Sequence, residues 1–108
     1  MSDRATFGRL RRSRQRARRG PVTVTWVQGD PTEPTRVAYT VGRRVGGAVV
    51  RNLVRRRLRS AIFEARGVLR PGPYLISAGP EAARASYGEL RAAVTEALSA
   101  VTKTPKPS

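Results

Sequence analysis

The residues best suited to chemistry lie in one run, Arg43-Arg44-Val45-Gly46-Gly47-Ala48-Val49-Val50-Arg51-Asn52, which continues through Arg55 and Arg56 to Arg59. Arginine carries a planar fork of N–H donors that fits phosphate oxygens in pairs and stacks on bases. Arg51, Arg55 and Arg59 recur at i, i+4 and i+8, and Asn52 and Arg56 form a second polar line beside them. Gly42, Gly46 and Gly47 bracket Arg43 and Arg44, so backbone can come close to a phosphate with charge at hand. The run is not a P-loop, because no Gly-Lys-Ser/Thr follows, and it is not G-x-G-x-x-G. Its chemistry is the binding of a polyanion. Bond-breaking chemistry has no comparable set. The chain has no histidine, no cysteine and seven carboxylates in all, which excludes thiolate chemistry, disulfides and the usual Cys/His zinc site. Asp30 and Glu33, the closest acids outside a predicted helix, share a turn and make a poor metal site. No catalytic residue and no metal ligand are assigned.

The charge balance points the same way. The 108 residues carry a formal net charge of +15 and a pI near 11.9. Such a charge opposes compaction unless a polyanion neutralises it, and nucleic acid is the partner it favours. An anionic membrane surface ranks second, but no apolar run is long enough for a membrane span or a signal peptide, so no membrane partner is expected. Lys103 and Lys106 are the only lysines. A G+C-rich genome accounts for that preference for arginine, though not for the total charge. The absence of cysteine is consistent with the cytoplasm.

Stepping along the chain gives the elements that position the arginines. A single domain is expected over 1–101, followed by a polar tail, 102–108, of disordered composition. Asp3 to Arg12 reads as a short helix, with Phe7 and Leu10 three apart on one face. Residues 9–19 form a dense basic run, expected to be a flexible arm or an extended segment. Val22 to Val27 alternates as a strand, with Val22, Val24 and Trp26 facing the core and Thr23, Thr25 and Val27 facing a half-wet surface. Arg36 to Val41 is a second strand, and the short connection suggests an antiparallel hairpin between the two. From Ala48 to Ala65 the pattern is helical, with Val50, Val54, Leu58, Ala61, Ile62 and Ala65 in one stripe and Gly67 as the stop. No acid occurs between Glu33 and Glu64, so the helical arginines lack intrahelical partners. Tyr74 to Ala78 is a third strand, which can run parallel to the second across the helix. Ser86-Tyr87-Gly88-Glu89 fits a capping box opening a final helix with Tyr87, Leu90, Val94, Ala97, Leu98 and Val101 on one face.

The loop and basic helix resemble the signature of the bacterial ribonuclease P protein subunit: a strand, a basic pair, a Gly-containing turn, Ala-Val, then Arg-Asn and further basic residues on one helix. The resemblance spans most of the chain. It implies an α+β fold with a small sheet of three to four strands, a long basic helix and two further helices, ribosomal protein S5 domain 2-like, with a left-handed β-α-β crossover against the general rule. It implies ribonuclease P RNA and precursor tRNA as partners. The RNA would be the catalyst that removes the 5′ leader with Mg2+, and no cofactor would be bound by the protein, itself monomeric. Arg43, Arg44, Arg51, Asn52, Arg55, Arg56 and Arg59 would contact the RNA, and Phe7, Arg11 and Thr25 the leader. Three departures stand out: Leu53 in place of the third residue of the Arg-Asn-Arg triplet with Arg57 nearby, Gly47 in place of Asn or Lys, and Arg11 where a second aromatic usually follows Phe7. The last implies that charge substitutes for stacking on the leader.

Two other classes fit the charge: a general RNA-binding or ribosome-associated protein without a tRNA-processing role, and a DNA-binding module with its helix in the major groove. The second calls for base-edge readers along the helix, and Asn52 stands alone there.

Overall fold

In a computed structural model that describes residues 8, 10, 13 and 15–102, the chain forms a mixed four-stranded sheet with two α-helices on one face. The strands are β1 (Arg16–Arg19), β2 (Val22–Trp26), β3 (Thr35–Val41) and β4 (Gly72–Ala78), in the spatial order β1-β2-β4-β3. The helices are α1 (Ala48–Glu64) and α2 (Tyr87–Thr102). This is the α+β architecture expected. Gly8 and Leu10 have helical backbone, and the rest of the expected N-terminal helix, with Phe7 and Arg11, lies outside the described residues.

The fourth strand lies in the basic run. β1 pairs antiparallel with β2, Arg16 opposite Thr25 and Arg19 opposite Val22, across a turn at Gly20-Pro21. The approach to β1 is also tied down: the Trp26 amide donates to the Gln15 carbonyl at 2.9 Å, and the Ser13 hydroxyl donates to the Trp26 carbonyl. From residue 15 onward, the segment expected to be a flexible arm or an extended segment is therefore extended, and it is part of the sheet. The expected hairpin between β2 and β3 does not form, because β4 lies between them, antiparallel to β2 and parallel to β3. The parallel pairing across the helix is as expected. β4 begins at Gly72, where a φ of +116° and the nearby Val27 carbonyl leave no room for a side chain.

Alternation along the strands separates the two faces. Val22, Val24 and Trp26, Tyr74 and Ile76, and Val41 are buried beneath the helices with Val54, Leu58, Ala61, Ile62, Leu90, Val94, Ala97 and Leu98. Trp26 stacks on Tyr74 with ring centroids 5.8 Å apart, and its indole N–H donates to the Pro71 carbonyl. Leu10 is buried as well, outside this cluster. Thr25, expected on a half-wet surface, is only 3% exposed. Arg16 stands opposite it in register, and its Nε donates to the Thr25 hydroxyl at 3.3 Å.

α2 opens with the expected capping box. The Glu89 amide donates to the Ser86 hydroxyl, and the Ser86 amide donates to the Glu89 carboxylate. α1 ends at Glu64, capped at Ala65, and a 3-10 turn follows over Arg66–Val68. The chain thus leaves the helix two residues before Gly67.

Candidate nucleic-acid interface

α1 is basic on one side and aliphatic on the other, and the two sides decide its stability. Arg51–Arg55 and Arg55–Arg59 are like-charge i, i+4 pairs, each unfavourable by about 0.2–0.5 kcal/mol. Burial of Val54, Leu58 and Ile62 outweighs this, since each such side chain contributes about 1.5–3 kcal/mol when removed from water. The helix is held by its underside, and its arginines are left outward.

The line of three arginines drifts across the helix surface, because a step of four residues overshoots the 3.6-residue turn. Arg51 is half-buried on the flank of the core stripe, Arg55 is intermediate and Arg59 is exposed. Arg51 has a buried Nε without a hydrogen-bond partner. Arg59 lies over the Tyr39 ring at 5.8 Å from its centroid. Burial raises the Tyr39 hydroxyl above its ordinary pKa, and the Arg59 charge opposes that shift. Asn52 and Arg56 are exposed, and Arg55 Nη1 donates to Asn52 Oδ1 at 2.8 Å. Arg43 and Arg44 are exposed on a 3-10 turn just ahead of the helix. Of the seven residues expected on this surface, Asn52, Arg55, Arg56 and Arg59 line one concavity on α1, Arg51 lies on the core-side flank of the helix, and Arg43 and Arg44 stand on the turn that leads into it.

No ion pair among the described residues answers this charge. Among the described residues none of the six arginines takes part in an ion pair, and the ion pair that does form joins Arg91 to Glu64 at 3.2 Å, at the far end of α1. There Glu64 also accepts from the Tyr87 hydroxyl at 2.6 Å. The hydrogen bonds from Tyr87 and Arg91 hold its carboxyl below the ordinary value. The one acid of the helix is therefore engaged with Tyr87 and Arg91 of α2.

Two residues of the turn and helix behave differently from their expected roles. Arg57, adjacent to the missing third triplet position, is half-buried, and its Nη1 donates to the Ala85 carbonyl at 3.0 Å. It binds α1 to the turn before α2. Val50, assigned to the buried stripe, is 36% exposed. It lies against Gly46, whose φ of +154° and closeness to the Val50 side chain require glycine there. At Gly42 and Gly47 an added Cβ would meet nothing within 4 Å, so that side of the loop is open.

The opposite face of the sheet is a second polar surface. By register it carries Arg16 and Arg18 on β1, Thr23 and Thr25 on β2, Leu75 and Ser77 on β4, and Arg36, Ala38 and Thr40 on β3. Arg16, Arg18 and Arg36 are exposed, at the two edges of a floor of small and hydroxylated side chains. The strand aromatics, Trp26, Tyr39 and Tyr74, are all on the other face. Sequence reasoning placed Arg16 and Arg18 only within the basic run 9–19 and did not single out Arg36. Their signal is positional, because only the pairing of β1 with β2 puts them on this face.

The Ribonuclease P family model matches residues 1–102. The chain belongs to the ribonuclease P protein family. The ribonuclease P protein component of Thermobifida fusca is 40% identical over 111 residues, covering 95% of this chain and 76% of that protein. That of a Nocardioides species is 42% identical over 94 residues, covering 83% and 80%. Among solved structures, a ribonuclease P protein from Staphylococcus aureus superposes with a TM-score of 0.80 at 16% identity, covering 94% of this chain and 87% of that one. One from Thermotoga maritima gives 0.72 at 16% identity, covering 86% and 87%. As a ribonuclease P protein, the chain is a subunit of an endoribonuclease, in partnership with ribonuclease P RNA, and serves tRNA processing.

Proposed function

We propose that α1 and the turn before it hold the ribonuclease P RNA, and that the open face of the sheet takes the single-stranded 5′ leader of precursor tRNA. The observation that carries this reading is the row of outward arginines, Arg55, Arg56 and Arg59, that no carboxylate neutralises among the described residues. Paired with phosphates, they release condensed counterions and favour the folded RNA. On the sheet, Arg16, Arg18 and Arg36 draw the leader backbone across a floor with little capacity to read sequence. Phe7 and Arg11, which lie outside the described residues, keep their expected role toward the leader, whereas Thr25 is buried beneath Arg16 and acts through it. With no catalytic set in the chain, cleavage falls to the RNA and its Mg2+, and the protein contributes affinity for substrate and for metal ions. The protein works in the cytoplasm and is monomeric without RNA.

The test is cleavage of precursor tRNA by a bacterial ribonuclease P RNA at low Mg2+. The full chain restores activity, Arg55→Glu/Arg59→Glu does not, and a chain ending at residue 102, the last of α2, does. Equal rescue by the charge-reversed protein removes α1 as the RNA-binding surface.

A further inference from the structure

The RNA-facing side of α1 is not uniformly polar. Val49 is 83% exposed, and Leu53, one turn on, is half-exposed beside it. The two are the apolar part of the lining of a surface concavity of about 570 Å³, and Asn52, Arg55, Arg56 and Arg59 are its polar part. A row that bound phosphates alone would gain nothing from an aliphatic step in its midst, since a phosphate placed there would lose water and meet no donor. An apolar protein side chain seated there would leave the surrounding guanidinium groups unsatisfied. An aliphatic lining beside a set of N–H donors suits a flat ring whose edge carries acceptors.

The polar part of the lining narrows the choice further. Asn52 Oδ1 already accepts from Arg55 Nη1 at 2.8 Å, which leaves its amide N–H groups as the free end. Arg56 and Arg59 offer donors only. An adenine amine would meet a lining made almost wholly of donors, whose one carbonyl already accepts from Arg55. The O6 and N7 of guanine present two acceptors in the spacing of an arginine fork. In duplex RNA the base faces are stacked and out of reach, whereas an unpaired base exposes both its face and its edge. We infer that the Val49–Leu53 step receives one unpaired guanine of the ribonuclease P RNA, stacked on the aliphatic pair with its O6/N7 edge toward Arg56. This inference rests on α1 being the RNA-binding surface.

Binding of the full chain to an in vitro transcript of bacterial ribonuclease P RNA, measured over a series of salt concentrations, tests it. Leu53→Ser weakens binding about tenfold at every salt concentration with the salt slope unchanged, because it removes base contact and no phosphate contact. Val49→Ser, at a position too exposed to affect folding, lowers affinity in the same way. If Leu53 is instead only a lost phosphate contact, Leu53→Arg tightens binding and steepens the slope by about one, and that result overturns the inference, as does unaltered binding by Val49→Ser. Transcripts substituted at random with 7-deazaguanosine, which lacks N7, identify the base: at one position the substitution disfavours binding to the unaltered chain but not to Val49→Ser. No such position overturns the assignment to guanine. Arg55→Ala separates the two levels. If it changes neither affinity nor slope, the RNA-binding role of α1 fails, whereas a loss there with Val49→Ser unaffected removes only the base site.

Discussion

Arg57 reaches across to the Ala85 carbonyl at 3.0 Å, while its chain neighbour Arg56 points into open solvent with no acidic partner among the described residues. Adjacent arginines of one helix thus have opposite employment. One fastens α1 to the segment that starts α2, and the other lies on the side of α1 proposed to face the RNA. A half-buried hydrogen bond from a charged donor contributes about 1.5–3 kcal/mol. Arg57→Ala therefore lowers unfolding free energy by about that amount, measured by urea denaturation, with RNA affinity near that of the unaltered chain. Arg56→Ala does the reverse, with stability changed by less than about 0.5 kcal/mol and affinity reduced.

In the proposed role, Arg55 and Arg59 act as independent point contacts with phosphate. Single substitutions to alanine at Arg55 and Arg59 each lower the slope of log K against log salt by about 0.7–0.9. Arg91→Ala, at the Glu64 ion pair, leaves the slope unaltered. Titration of labelled RNA at several potassium concentrations measures it.

Glu64 supplies a pH-dependent link between the helices. Its carboxyl is held below the ordinary value of 4.5 by hydrogen bonds from Tyr87 and Arg91. A depressed folded-state pKa means that the contribution to stability is complete above the unfolded value and is lost as pH falls through the folded one. The Tm of the unaltered chain therefore drops more steeply than that of Glu64→Gln below about pH 4.5, and the two run parallel near neutrality. Parallel curves throughout would mean that the cluster is not coupled to folding.

Gly72 opens β4 at a φ of +116°, and a Cβ there would collide with the Val27 carbonyl. Gly72→Ala destabilises by about 2 kcal/mol or more, about 10 °C in Tm for a domain of this size. Gly42→Ala, where a Cβ meets nothing within 4 Å, leaves Tm near the starting value. Thermal melts of the two variants side by side check the contrast.

Local signals in the chain were readable where one segment determines its own structure. The stripe Val54-Leu58-Ala61-Ile62 places α1, and Ser86 with Glu89 places the start of α2 to the residue. The outward arginines followed from the stripe, because a helix with a buried side has only one other side to expose them. What depended on distant pairing was not readable. β1 has no apolar alternation beyond Ala17, so Arg16–Arg19 resembles a solvated run until its pairing with β2 is known. β4 separates β2 from β3 although it follows them by more than thirty positions, and nothing in the short connection between those strands announces it. The burial of Thr25 under Arg16, the tethering of Arg57 to Ala85 and the placement of Arg36 on the open face have the same origin.

Direct binding of ribonuclease P RNA by the charge-reversed chain tests the central claim most closely. With Arg55 and Arg59 both changed to glutamate, the folded protein, verified by circular dichroism, should bind the RNA at least about a hundredfold more weakly than the unaltered chain at the same salt concentration. Binding within a factor of about two of the unaltered chain would contradict the claim, for it would mean that the arginine row of α1 does not hold the RNA.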